Sequence, residues 1–209
     1  MAKKRMMLFF GSFNPIHRGH MALAEYAIEH DLCDEVAMII SPQNPFKQGQ
    51  ALASEMDRYA MVEIACKNCR FPEKISPSVI EFLLEKPSYT VNTLRHLSEN
   101  YGHAMQFSIL MGTDLINQLP QWYCASEIID NYDIYVYPRA GVEMNYSTPR
   151  TTFLADAPQY AHSSTAVREA LQQSSEITTM VDAEVAQYIK EHKVWGSAMP
   201  TATPKKNIN

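Results

Sequence analysis

Ten consecutive residues, Gly11-Ser-Phe-Asn-Pro-Ile-His17-Arg-Gly19-His20, bring two glycines and two histidines into one short stretch. Gly11 permits a tight turn or the close approach of backbone to a ligand. Gly19 stands where a helix opens, and the N–H groups and dipole of a helix N-terminus favour a phosphate. His17 and His20 are three apart, so both face one anion if the helix begins near Arg18. Either histidine alone reads as a structural residue. A pair of them also suggests metal, but zinc needs at least one further protein ligand, and the H-E-x-x-H spacing is absent. Phosphate contact is the favoured reading. The stretch is neither a Walker A loop nor the G-x-G-x-x-G dinucleotide fingerprint.

The elements that must hold this turn alternate between short apolar runs and amphipathic helices, the pattern of a parallel α/β sheet. Strands are expected at Met6–Phe10, Glu35–Ser41, Gln106–Met111, Asp133–Tyr137 and Thr151–Leu154, with Ser78–Leu84 a strand or bent connector. Helices are expected at Gly19–His30, from an N-cap at Ser54 to about Lys67, at Thr90–Tyr101 before Gly102, and at Ala125–Asn131. Ser164–Gln172 and Asp182–Lys190 close the chain. The expected architecture is a Rossmann-like doubly wound parallel sheet with a small C-terminal helical extension. The domain spans 1–196, and 197–209 reads as a disordered tail.

The chain has 209 residues, 46% hydrophobic and 20% charged, enough for a sizeable core. A net charge of −5 argues against a general nucleic-acid binder but not against a small anionic substrate. No apolar run reaches the roughly 18–20 residues that span a bilayer. The apolar run after Lys3-Lys4-Arg5 leads into a glycine turn, so it reads as a buried strand rather than a signal peptide, and the expected location is cytoplasmic. Cys33, Cys66, Cys69 and Cys124 make no disulfide framework, and Cys66 and Cys69 read as ordinary helix cysteines.

The stretch from Gly11 to His20 resembles the G-(S/T)-F-(D/N)-P-x-H-x-G-H signature of the H-x-G-H nucleotidyltransferase superfamily. Ser163-Ser-Thr-Ala-Val-Arg168 resembles its I-S-S-T-x-(I/V)-R segment, again at a helix start. Further segments are similar to the bacterial nicotinate-mononucleotide adenylyltransferases: Pro42-Gln-Asn-Pro-Phe-Lys47, Arg58-Tyr-Ala-Met61, Pro87-Ser-Tyr-Thr90, Gly112-Thr-Asp114 with Trp122-Tyr123, and Arg139-Ala-Gly141. The resemblance extends to about Trp195. Asn14, Phe46, Pro138 and His162 depart from residues common in that family.

The resemblance implies adenylyl transfer from ATP to nicotinate mononucleotide. The acceptor phosphate is already ionised at neutral pH, so no general base or covalent nucleophile is required; the protein must align two anions and neutralise charge. It assigns His17 and His20 to catalysis at the triphosphate. The nucleotide would be bound by Gly11, Ser12 and Phe13, by Lys47, Gly112, Asp114 and Arg139, and by Ser163, Ser164, Thr165 and Arg168. Asp114 would meet the ribose hydroxyls. The acceptor falls to Asn44, Tyr89, Thr90, Trp122 and Tyr123. Mg2+ would ride on the phosphates and water, with no protein ligand. The expected partners are ATP and nicotinate mononucleotide, with no nucleic acid and no membrane; a homo-oligomer is left open. Arg18 is expected to face solvent, Arg58 to be a structural ion-pair partner, and His162 to be a local substitution. Three alternatives stand beside this reading: a nicotinamide-mononucleotide enzyme, a phosphopantetheine enzyme (against which His17 counts), and a regulator that binds nucleotide without turnover.

Overall fold

The computed structural model describes residues 2–42 and 52–195. The expectations for Asn44, Phe46, Lys47 and the tail at 197–209 lie outside the described residues. Six strands form one sheet: β1 (Lys4–Gly11), β2 (Glu35–Ile40), β3 (Ile75–Ser78), β4 (Met105–Gly112), β5 (Asp133–Tyr137) and β6 (Thr151–Phe153). Their order is β3-β2-β1-β4-β5-β6, and every pairing is parallel. The crossovers therefore reverse direction between β1 and β4, the switch point at which open α/β sheets hold ligands.

Helices α1 (Arg18–Glu29), α2 (Glu55–Lys67), α3 (Ile80–Leu83), α4 (Thr90–Tyr101), α5 (Thr113–Ile116), α6 (Ala125–Asn131), α7 (Ser164–Gln172) and α8 (Ala183–Glu191) complete the element order, with a 3-10 turn at Leu119–Gln121. Both faces of the sheet are covered, as a run such as Met7-Leu-Phe9 requires. Leu8 lies between Ala37 and Ile109 and packs with Val91 and Leu94 of α4 and Ile128 of α6. Met7 and Phe9 point the other way, into a cluster with Ala24 and Ala27 of α1, Met61 and Ala65 of α2, Val167 of α7 and Val185 of α8. The C-terminal helices thus belong to the same core as α1 and α2.

Ser54 caps α2 by accepting from the Asp57 N–H at 3.0 Å, as its position in the sequence suggests. One open expectation is decided. Of the two readings of Ser78–Leu84 the strand is the one that fails and the bent connector the one that fits: β3 ends at Ser78, and the chain turns at once into α3. Its apolar residues mimic a strand because Ile80 and Phe82 both reach partly buried positions from a single helical turn. Cys66 is buried in α2 with its thiol pushed up to about 12 by burial, and the Cys69 thiol donates to the Cys66 carbonyl at 3.0 Å. Neither thiol has the exposure or the low pKa of a reactive cysteine. No helix among the described residues is long and apolar enough to cross a membrane.

Candidate active site

The strand β1 ends in the turn from Gly11 to His17, which leads into α1. His17 is the N-cap of that helix, with extended backbone at φ −141° and ψ 168°. Its ring Nδ1 accepts the Gly19 N–H at 3.2 Å, and the His17 N–H in turn donates to His20 Nδ1 at 3.3 Å. The two histidines therefore make a reciprocal capping box, a device ordinarily built from a hydroxyl and a carboxylate. A ring nitrogen that accepts carries no proton, so each neutral imidazole holds its proton on Nε2. The rings stack with centroids 3.7 Å apart. His17 is buried, and its pKa falls from 6.5 to about 4, first through burial and then through the charges of Arg139 and His162.

Phe13 takes a left-handed backbone at φ 44°, a conformation that costs a bulky residue energy and persists only where its surroundings hold it. Its ring stands edge-on to Phe9 and to His20, with centroids 6.0 and 5.1 Å apart. A Cβ at Gly11 would lie 2.8 Å from that ring. Glycine is needed at position 11 because Phe13 folds over it, a packing reason that differs from the turn expected from sequence.

The second motif comes to the same turn. Ser163 caps α7 by accepting from the Ala166 N–H at 3.1 Å. The Ser164 hydroxyl donates to the Pro15 carbonyl at 2.8 Å, and Arg168 Nη1 donates to the Asn14 carbonyl at 2.7 Å. At the end of β4, Gly112 lies beneath Asp114 and Arg139; a Cβ there would meet Arg139 Cγ at 2.7 Å. Asp114 Oδ1 and Arg139 Nε stand 3.6 Å apart.

These parts enclose a cleft of two lobes at the carboxyl ends of β1, β2, β4 and β5. The larger, of about 480 Å³, is lined on one side by Gly11–Asn14, Ser164, Thr165 and Arg168, and on the other by Tyr89, Thr90, Trp122 and Tyr123. The smaller, of about 300 Å³, is lined by His17, Leu23, Val142 and Pro158–Ser163. His20, Asp114, Tyr137 and Arg139 belong to both. His20 thus stands where the lobes meet, whereas His17 reaches only the smaller one. Tyr89 and Tyr123 lie with ring centroids 4.9 Å apart. Tyr89 begins α4 with no side-chain cap, leaving the N-terminus of that helix beside the larger lobe.

Sequence reasoning missed Ser41, Ser88, Gln118 and Tyr137, which also line the larger lobe. Tyr137 could have been found from its place at the end of β5. Burial pushes its pKa up to about 12, so it stays a neutral phenol. The Ser12 hydroxyl is buried with no hydrogen-bond partner among the described residues. Arg18 is exposed, as expected, and donates to the Thr178 carbonyl at 3.1 Å. Arg58 corrects its expectation: it is structural, but its hydrogen-bond partners among the described residues are backbone carbonyls and not a carboxylate, since it reaches the carbonyls of Ser12 and Ser41 just past the ends of β1 and β2. His162 lines the smaller lobe and contributes to holding His17 neutral.

Comparison with known proteins agrees with this geometry. The model of the cytidylyltransferase-like family matches residues 8–170. A relative from Cytophaga hutchinsonii, "Probable nicotinate-nucleotide adenylyltransferase", is 38% identical over 191 residues, covering 91% of this chain and 97% of its own. A protein of the same name from Bacteroides thetaiotaomicron is 37% identical, covering 91% and 93%. Among solved structures, the Plasmodium falciparum nicotinic acid mononucleotide adenylyltransferase complexed with NaAD superposes with a TM-score of 0.79 at 18% identity, covering 92% of this chain and 97% of that one, a likeness of fold. The motif turn, the second helix start docked on it and the extent of these matches agree: the chain belongs to the nicotinate-nucleotide adenylyltransferase family of nucleotidyltransferases.

Proposed function

We infer that the protein transfers the adenylyl group of ATP to nicotinate mononucleotide, releasing pyrophosphate and forming nicotinate adenine dinucleotide, a step of NAD biosynthesis. The observation that carries this reading is the meeting of two lobes at His20, Asp114 and Arg139, which suits two nucleotides joined through their phosphates. Adenosine is assigned to the smaller lobe, between Leu23 and Val142, with its ribose hydroxyls toward Asp114. The pyridine ring is assigned to the larger lobe, against Trp122 and the Tyr89–Tyr123 pair. Its carboxylate is directed at the uncapped N-terminus of α4, where N–H groups and the helix dipole favour an anion over a neutral amide.

In the reaction, a 5′-phosphate oxygen of the mononucleotide forms a bond to the α-phosphorus of ATP as the bond from that phosphorus to the oxygen bridging to the β-phosphate breaks. Both ionised phosphates are brought together by the turn, by Ser164 and Thr165, and by Arg168. His20 donates from Nε2 to oxygens that gain charge as pyrophosphate leaves, and its tautomer is set in advance by the His17 N–H. His17 acts as the neutral cap that fixes His20. Lys47 and Asn44 are proposed to contribute from the segment between β2 and α2.

Asp114 is the only carboxylate among the described residues lining the two lobes, and it stands beside Arg139. That donor set fits a magnesium ion carried by the triphosphate and water. Such an ion would neutralise charge on the phosphate oxygens. The test is a comparison of kcat/KM for nicotinate and nicotinamide mononucleotides with ATP and magnesium. A clear preference for the acid is expected; equal values, or preference for the amide, overturn the assignment of the acceptor.

A further inference from the structure

Arg58, on α2, is among the largest fully buried side chains, with 1% of its surface exposed. Among the described residues its guanidinium donates to carbonyl oxygens alone: Nη1 to Ser41 at 2.7 Å and to Ser12 at 2.8 Å, Nε to Ala53 at 3.3 Å, and Nη2 to Pro42 at 3.5 Å. Burying a cation is costly unless it is compensated, and among the described residues its hydrogen bonds go to carbonyl dipoles, with the Glu55 charge adding a favourable field. A fold that needed only to join these segments could use a neutral donor. The expense has a location: Ser12 is the second residue of the phosphate turn, and Ser41 lines the same lobe.

The peptide group is planar and trans, so its carbonyl and the next N–H point in opposite directions. With the Ser12 carbonyl turned toward Arg58, the Phe13 N–H points away from it. Arg168 holds the Asn14 carbonyl from the other side. Asn14 Oδ1 accepts the Ala53 N–H at 2.9 Å, joining the turn to the residues that enter α2. We propose that Arg58 is a positioning residue for phosphate binding: it fixes the carbonyls of Ser12 and Ser41 inward, so that the turn presents its N–H groups, and a positive field, to the phosphates of the nucleotide. The inference rests on the adenylyl-transfer reading for the identity of that nucleotide.

The test compares Arg58→Met, which keeps bulk without charge, and Arg58→Lys, which keeps charge without the planar fork. For each, a thermal melt is run and three quantities are measured: KM for ATP, the inhibition constant of adenosine, and the affinity for a non-hydrolysable ATP analogue by calorimetry. Arg58→Met is expected to raise KM for ATP, and to weaken the analogue, by about 10- to 100-fold, the usual effect of losing hydrogen bonds from a charged group. Adenosine, which has no phosphate, should change less than about two-fold, and Arg58→Lys should recover part of the loss. Parental ATP affinity in the folded variant overturns the proposal, as does an equal loss for ATP and adenosine, which marks general damage. If Arg58→Met does not fold, Arg58→Lys alone decides, against the same two outcomes. A parent that binds the ATP analogue but does not turn over with nicotinate mononucleotide would count against the acceptor, not against Arg58.

Discussion

Arg168 and Asn14, 154 residues apart in sequence, are joined by a 2.7 Å hydrogen bond from guanidinium to backbone carbonyl. This bond couples the helix start of α7 to the turn after β1, bringing the two motifs to one end of the cleft. A second guanidinium nitrogen donates to Thr165 Oγ1 at 3.1 Å, so the orientation of Arg168 is set from both ends.

Replacing Arg168 by alanine is expected to lower kcat/KM for ATP on the order of 10²- to 10³-fold, the scale of losing a preorganised charge-stabilising donor. Lysine should restore only part of this, because it lacks the fork that serves Asn14 and Thr165 together. Steady-state kinetics with both variants check the point, and a fully active lysine variant would show that charge alone matters.

His20→Ala is expected to reduce kcat by about 10²- to 10³-fold. The same change removes half of the capping box, so the protein should also lose about 1 kcal/mol of stability. Denaturant unfolding beside kinetics separates the two effects. Retention of parental turnover would remove His20 from the chemistry.

His17 makes stability depend on pH. Its imidazole takes a proton near 6.5 when unfolded and near 4 when buried, so between these values the unfolded chain binds more protons. The stabilisation is complete above about pH 6.5 and is lost as pH falls toward 4, about 3 kcal/mol over the whole range. Asparagine is a good N-cap without that titration, so the unfolding free energy of His17→Asn should fall less steeply across the window than that of the parent. Parallel pH profiles would show that His17 is not held neutral.

Much of the fold was legible because its signals are local. Met7-Leu-Phe9 is continuously apolar and runs straight into a glycine turn, as a strand covered on both faces does, and the Ser54 cap marks its helix within one turn. The segment after β3 was left between strand and bent connector because five apolar residues, interrupted by Glu81, do not separate a strand from a single helical turn; the packing against both cores decides. Tyr137 and Ser41 were passed over for another reason. Each has an ordinary residue type, and only the end of its strand makes it a lining residue.

By itself the sequence determined the family, the parallel α/β class and the position of both family motifs, since these rest on residue type, spacing and short-range periodicity. Only the tertiary structure decided how the motif residues divide their work. His17 became a buried cap and His20 the group between two lobes, because an imidazole's role depends on what its other nitrogen touches. Gly11 proved necessary for the Phe13 ring, and Arg58 a cation among carbonyls where an ion pair was expected, because both depend on neighbours that the folded backbone brings within a few ångströms.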